Sequence, residues 1–289
     1  MAFLKFSSLV FFASALCAAA PDRMYCGQYE TLTSAVSQNV FSTNEWGADG
    51  SGASCVTVNN DDTQFNVTWQ WKKNQDAVHA FPNVEMYSSQ LPVQLKNLSS
   101  LNFEVEWSMA PSESSEGDLA AITASADVVL DMFLDPNESK SQSTTLPQFE
   151  VMVWMGQYGF ANPIGHNTTK SPATTKVNGN TFSLYQGSNG VGQTVFTWLA
   201  ADNITTFNED ISPLFVYLTK HSLIPSTAYL GVVSFGTETF HATSNVTFSA
   251  SNFQMKVVQG AQQSLAIAGA APSLSLALFV ALAGVMALL

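Results

Sequence analysis

Glu150-Val151-Met152-Val153-Trp154, joined far downstream by Gly236-Thr237-Glu238-Thr239-Phe240, decides how this chain is read. The first stretch alternates in strand fashion, and on a strand residues i, i+2 and i+4 share one face. Glu150, Met152 and Trp154 therefore point the same way. A carboxylate, a thioether and an indole side by side make an odd core and a sensible sugar-binding cleft. Aromatic faces stack on sugar rings, and a carboxylate among apolar neighbours can be tuned as acid, base or nucleophile. Two glutamates on different strands of one cleft are what glycosidic bond hydrolysis needs.

Both ends of the chain carry address-like composition. Residues 1–20 have a basic start at Lys5, an apolar run over 9–16 and small residues at Ala18, Ala19 and Ala20. This predicts a secretory signal peptide cut between Ala18 and Pro21; the apolar run is too short to span a bilayer. At the other end, residues 276–289 are all apolar or Gly, and no Lys or Arg follows Lys256. Small residues at Gly260-Ala261, with Ser264 as a second candidate site, then a spacer and the apolar tail, fit a GPI-attachment signal over 261–289. A plain C-terminal membrane anchor is the alternative, although it lacks the basic residues that usually fix orientation.

About 240 residues, 21–260, lie between these signals, which suits one large domain. Cys26 and Cys55 are the two cysteines left once Cys17 departs with the signal, and an exported chain would join them. Two thiols and four scattered histidines give no metal site, and no cofactor is expected. Sequons at Asn66, Asn97, Asn137, Asn167, Asn203 and Asn245 are candidate glycan sites and so mark the surface. The net charge of −12 and pI near 4.5 argue against nucleic acid or anionic membrane partners. The same charge would suit an acidic medium, or serve solubility alone.

The mature chain reads as all-β. Runs rich in β-branched and aromatic residues occur at 65–71 (FNVTWQW), 102–108 (NFEVEWS), 126–134, 149–155, 181–185, 194–200, 229–235 and 245–258, separated by Gly/Ser/Asn turns. One helix is expected over 209–221, with Asn208 as cap, Glu209 and Asp210 in its first turn and Pro213 near its start. Segments 112–117 and 137–147 read as polar loops. Many strands with one short helix imply a two-sheet sandwich.

These segments carry a family resemblance. CGQY at 26–29, STNEWG at 42–47, WQW at 69–71, LDMF at 130–133, FEVMVW at 149–154, NPIG at 162–165 and FGTETF at 235–240, in that order, resemble glycoside hydrolase family 12 from about Cys26 to Val257. The resemblance implies a curved, concanavalin-like β-jelly-roll and retaining endo-β-1,4-glucanase or xyloglucanase activity. It implies Glu150 as nucleophile, Glu238 as general acid/base, and Asp131 beside the nucleophile and hydrogen-bonded to it. Trp46 matches a cleft tryptophan that stacks on a glucosyl unit. Asn44, on the same face, would bond sugar hydroxyls, and Met152 and Trp154 would line the floor. His79 and Phe81 match only loosely. Core packing remains the reading for Trp69, Trp71, Trp107 and Trp198.

The chain departs from the family pattern in places. Ser42-Thr43-Asn44-Glu45 replaces Tyr-Asn-Asn-Leu before Trp46, so that Glu45 adds a charge near the outer subsites. Phe65-Asn66 replaces Trp-His, and Thr239 replaces Pro after Glu238. No departure removes a catalytic carboxylate. The expectation is an extracellular enzyme acting on a β-glucan (cellulose, mixed-linkage glucan or xyloglucan), on the outer cell surface or wall, as a monomer. A non-enzymatic glucan-binding module on the same jelly-roll, or an anchored wall protein, are the competing readings.

Overall fold

The strand Ser125–Asp135 (SADVVLDMFLD) is buried along its whole length and organises the molecule. Its alternate side chains serve two environments. Ala126, Val128, Leu130, Met132 and Leu134 enter the main core, whereas Asp127, Val129, Asp131, Phe133 and Asp135 lie on the other face. On one side it pairs antiparallel with Phe149–Tyr158, and on the other with Tyr229–Gly236. The Phe149–Tyr158 strand splits in the same way. Phe149, Val151, Val153 and Met155 join the core, and Glu150, Met152 and Trp154 share the face of Asp131.

The computed structural model describes residues 22–112 and 117–260. The expected signal peptide (1–20), the C-terminal segment (261–289) and most of the 112–117 loop lie outside the described residues. The all-β, two-sheet sandwich expected from the sequence is present. Eleven strands form the larger sheet. Its main order is Ala173–Val177, Asn180–Ser188, Thr194–Ala200, Phe149–Tyr158, Ser125–Asp135, Tyr229–Gly236, Asn83–Glu85, Val40–Ser42, Thr31–Thr33. Six strands form the smaller sheet, in the order Arg23–Tyr25, Gly52–Val58, Gln64–Trp71, Val246–Gln259, Leu98–Pro111, Thr206–Asp210. All these pairings are antiparallel except that of Phe149–Tyr158 with Thr194–Ala200.

The main core lies between the sheets. In Gln64–Trp71, Phe65, Val67, Trp69 and Trp71 point inward and Gln64, Asn66 and Thr68 outward. Phe65 packs edge-on against Phe41, Phe248 and Phe253, with ring centroids 5.7, 5.8 and 5.7 Å away. Trp69, Trp71, Trp107 and Trp198 are all buried core residues. All six sequon asparagines are exposed.

The helix differs from its expected bounds. It runs over Ser212–Lys220, and Asn208, Glu209 and Asp210 instead finish the edge strand Thr206–Asp210 against Leu98–Pro111. Asp210 turns the chain from strand to helix: its carboxylate accepts from Ser212 N–H, Ser212 Oγ and Leu101 N–H, each at 2.9 Å. Sheet pairing has claimed residues whose local propensity favours a helix start. A second helix of one turn, Glu138–Ser141, lies in the expected 137–147 loop, where the Asn137 side chain accepts from Lys140 N–H.

Cys26 and Cys55 are joined. The bridge adds a covalent tie between neighbours already paired, since Arg23–Tyr25 lies beside Gly52–Val58. By closing a span of 29 residues it stabilises the fold by about 3–4 kcal/mol in the chain-entropy account.

Candidate active site

Sheet register gathers the carboxylates. Asp131 lies opposite Met152 on one neighbouring strand and Ser234 on the other. Glu150 lies opposite Phe133 and beside Val195 of the parallel strand. Glu238 sits in the break between Tyr229–Gly236 and Thr239–His241 and is fixed by its backbone. Gly236 is required there, because a Cβ would meet Pro82 O at 2.2 Å. The Thr237 hydroxyl donates to Asp127 O, and Glu238 N–H donates to Asp127 Oδ1 at 2.8 Å. Thr239 N–H donates to Ala80 O at 2.9 Å, and its Oγ1 accepts from Trp71 Nε1 at 3.0 Å. The first of these bonds is one that Pro could not make, so Thr239 contributes a rung to this chain.

The site is a field of like charges in a poorly solvated place. Burial, and after it the nearby Glu238 charge, raise the Glu150 carboxyl to about 7 against an opposing hydrogen bond from Asn189. Burial also raises Glu238. Asp131 is pushed well above the carboxylate range, first by burial and then by Glu150 and Glu238. Its Oδ1 is buried with no hydrogen-bond partner among the described residues. Its link to Glu150 in this structure is electrostatic, without the hydrogen bond the resemblance implied. An aspartyl group so placed favours its neutral form.

Asn189, which holds Glu150, and Gln193, which holds Asn189, were not read from the sequence. Asn189 Nδ2 donates to Glu150 Oε2 at 2.8 Å. Asn189 is itself held in its hairpin, its Oδ1 accepting from Gln193 N–H at 3.0 Å and its Nδ2 lying 2.7 Å from Gln193 Oε1. An amide donor aimed at one oxygen favours the ionised carboxylate. Of the two glutamates, Glu150 is therefore equipped to act as an anion. Glu238 has no such side-chain amide donor among the described residues and faces the carboxyl of Asp127. Asp127, fully buried, is the third residue missed, although the spacing Asp127, Asp131, Asp135 on one strand face was visible. Asp135 proves to be a structural residue, its two oxygens taken by Asn137 N–H at 2.7 Å and Gln148 N–H at 2.9 Å.

Met152 and Trp154 lie beside Glu150 as expected, but in an apolar layer with Phe81, Val129, Ala161, Val195 and Phe240. Trp154 is only 2% exposed, so its role is to support the floor rather than to offer an open aromatic face. Trp46 is the open one, at 54%. The strand Val40–Ser42 ends before it, yet burial continues to alternate. Phe41, Thr43 and Glu45 are buried while Asn44 and Trp46 look outward. Glu45 thus corrects its expected place near the outer subsites: its Oε1 is turned inside and accepts from Ser54 N–H at 2.7 Å. His79 likewise faces inward, stacked on Trp71 at 4.9 Å with Nε2 3.4 Å from Asp49. Gly47 is needed where the chain passes Val78 O, which a Cβ would meet at 2.1 Å.

Among the described residues, no group of three or more His, Cys, Asp or Glu side chains is arranged to hold a metal ion. No helix of the described residues is long and apolar enough to cross a membrane.

Comparison with known proteins agrees with this fold. Residues 37–258 match the glycosyl hydrolase family 12 model. A xyloglucan-specific endo-beta-1,4-glucanase 1 of Phytophthora sojae is 31% identical over 259 residues, covering 87% of this chain and 98% of the relative. An inactive glycoside hydrolase of Phytophthora nicotianae is 30% identical over 239 residues, covering 81% and 91%. The crystal structure of endoglucanase 3 from Trichoderma harzianum superposes with a TM-score of 0.69 at 27% identity, covering 85% of this chain and all of that one. A sandwich of this topology, with paired glutamates on its larger sheet and a family match along most of its length, makes this chain a member of glycoside hydrolase family 12.

Proposed function

We propose that this protein is an exported, retaining endo-β-1,4-glucanase that cleaves β-1,4-glucan backbones, xyloglucan among them. The observation that carries the reading is the approach of Glu238, in the break before Thr239–His241, to Glu150 on Phe149–Tyr158, close enough for its charge to raise Glu150, with Asn189 aimed at Glu150 and not at Glu238. In the first step Glu238 gives its proton to the glycosidic oxygen while Glu150 attacks the anomeric carbon, forming a glycosyl ester and releasing the shortened glucan. In the second step Glu238 takes a proton from water, which breaks the ester and releases the β-anomer. Asp131, held neutral between them, adds no further charge for Glu150 to overcome as it ionises. The xyloglucan-specific relative supports that substrate.

Binding without hydrolysis is the second reading, and the inactive relative from Phytophthora nicotianae favours it. Against it stand the three acids and the Asn189 contact, a set with no use in a lectin-like site. Release of reducing sugar from xyloglucan and barley β-glucan separates the two readings, because a binding module releases none.

The pair can be tested one group at a time. Glu238→Gln should lower turnover of unactivated glucan about 100- to 10,000-fold, and far less on an aryl glycoside whose leaving group needs no proton. It also removes one of the two causes that raise Glu150. The acid limb of the aryl-glycoside profile should then fall below the value near 7. Glu150→Gln should abolish hydrolysis of both substrates, and wild-type-like turnover would end the assignment.

Asn189→Ala should move the same limb the other way, since Asn189 lowers the Glu150 value. Loss of a hydrogen bond to a charged group predicts a fall in kcat/KM of about 10- to 100-fold. An unmoved acid limb would show that Asn189 does not act on Glu150.

Trp46 is the residue we assign to stacking, with Asn44 beside it bonding hydroxyls. Trp46→Ala should weaken binding by about 1–3 kcal/mol, by analogy with losing a buried aromatic contact. The signature is a raised KM on long glucans with a smaller change in kcat. Equal KM values for the two proteins would make Trp46 a packing residue.

We further propose export through the signal at 1–20, glycans at the six exposed sequons, and a GPI lipid added near Gly260 that holds a monomer on the outer cell surface or wall. Glycan attachment at Nδ2 leaves Asn137 Oδ1 and Asn203 Oδ1 free to keep their bonds from Lys140 and Gln157 N–H. Ending the chain after Gly260 keeps the last strand, Val246–Gln259, and the bond from Gly260 N–H to Asn97 O. That shortened protein should appear active in the medium, while the full chain stays with cells until phosphatidylinositol-specific phospholipase C frees it. Cell-bound protein still carrying residues 276–289 by mass spectrometry would replace the lipid with a plain membrane anchor.

A further inference from the structure

Asp127 is a buried titratable group that the two-step mechanism above does not use. It occupies the same strand face as Asp131 and is completely inaccessible to solvent. Its contacts converge on the acid/base segment. Its Oδ1 accepts from Glu238 N–H at 2.8 Å, its N–H donates to Glu238 O at 3.2 Å, and its carbonyl accepts from the Thr237 hydroxyl. Its Oδ2 has no hydrogen-bond partner among the described residues. Asp135, on the same face, shows what a purely structural aspartate looks like here, with both oxygens taken by backbone N–H.

The surroundings of Oδ2 narrow its chemistry. Glu238, whose N–H is held by Oδ1, and Asp131 are the titratable groups that act on Asp127, Glu238 the more strongly. The residue opposite on the adjoining strand is neutral Gln157, whose Nε2 is used by Ala161 O at 2.6 Å. On the other side the adjoining segment carries Thr239 and His241, the latter opposite Ser125. No arginine or lysine neutralises the site among the described residues. A fully buried carboxylate with one oxygen unmatched is costly, and a carboxylic acid is not. An oxygen without a donor, beside a second carboxyl, is where a proton belongs.

We propose that Asp127 is the positioning residue for Glu238, holding its backbone through Oδ1 and keeping a proton on Oδ2 that hydrogen-bonds the Glu238 carboxyl. The proposal rests on the reading of Glu238 as acid/base. When Glu238 gives its proton to the leaving oxygen, Oδ2–H of Asp127 donates to the new carboxylate. When Glu238 recovers a proton from water, that bond weakens. Asp127 itself gains and loses nothing through the cycle. Burial and the adjacent Glu238 both push Asp127 well above the carboxylate range, in the direction this role requires.

The basic limb of the kcat/KM profile on unactivated glucan reports the proton on Glu238. A neutral donor beside Glu238 stabilises its anion and lowers its pKa. Asp127→Ala removes the donor, so the basic limb should move to higher pH and kcat/KM fall about 10- to 100-fold. Asp127→Asn restores an acceptor for Glu238 N–H and a donor at the second position. It should bring the limb back to its original pH and recover most of the lost rate. An ionised Asp127 would give the opposite sign: both variants would then remove a like charge and move the limb to lower pH, which overturns the proposal. An unmoved limb in Asp127→Ala with the fold intact by circular dichroism also overturns it. Asp127→Ser, too short to reach Glu238, replaces the alanine variant should that fail to fold. Full activity of Glu238→Gln on unactivated glucan would instead refute the acid/base reading. An inactive Glu238→Gln beside a wild-type profile for Asp127→Ala would leave that reading standing and remove this one.

Discussion

Burial of a strand on both faces, with hydrocarbon on one and carboxyls on the other, is the constraint on which this molecule depends. Ser125–Asp135 could not occupy the middle of the larger sheet if its acids all ionised. Carboxyls clustered in a poorly solvated site repel one another and lose hydration, a cost of several kcal/mol per uncompensated charge. The structure answers each acid separately. Asp135 is matched by two backbone donors. Glu150 receives an amide from Asn189. Asp127 receives one backbone N–H and is left with one bare oxygen, and Asp131 is left with a bare oxygen as well. The acids thus range from well satisfied to poorly satisfied, and the poorly satisfied ones surround Glu238. Stability has been given up around the one group proposed to transfer a proton.

Much of this was legible because a strand's period is rigid. Once Glu150, Met152 and Trp154 are placed on one face, Val151 and Val153 must fill the core, and they do. The eight longest strand signals recur as strands because their apolar alternation matches a two-layer sandwich. What was not legible arose where pairing partners decide the outcome. Asn208, Glu209 and Asp210 suit a helix start by local chemistry, but the exposed edge of Leu98–Pro111 captures them as a strand. Glu45 looked like a cleft charge because polarity alone suggested solvent. Alternation beyond Ser42 puts residue 45 on the buried parity, and Ser54 N–H supplies a partner that no local pattern reveals. Asn189 was hidden for a related reason: its contact with Glu150 spans 39 residues and exists only after the hairpin lies beside the parallel strand.

The fold also ties two distant motifs together. Gly47 N–H donates to His79 O at 2.9 Å, and His79 N–H donates to Thr239 O at 2.9 Å. These two backbone bonds join the turn bearing Trp46 to the residue after Glu238, with no mobile side chain between them. The His79 ring is packed face to face on Trp71, whose indole nitrogen donates to the Thr239 hydroxyl. Rotation of this short segment is therefore blocked from both its backbone and its core side. On the proposed reading, a sugar ring resting on Trp46 would be referenced to Glu238 through rigid peptide units. Positional error of about 1 Å at a reacting group can cost about a hundredfold in rate. A backbone connection of this kind limits such error more effectively than any chain of flexible side chains could. It also gives a physical reason for the loop's composition: Gly47 permits the close passage, Glu45 anchors the turn beneath, and Asn44 and Trp46 are left facing outward.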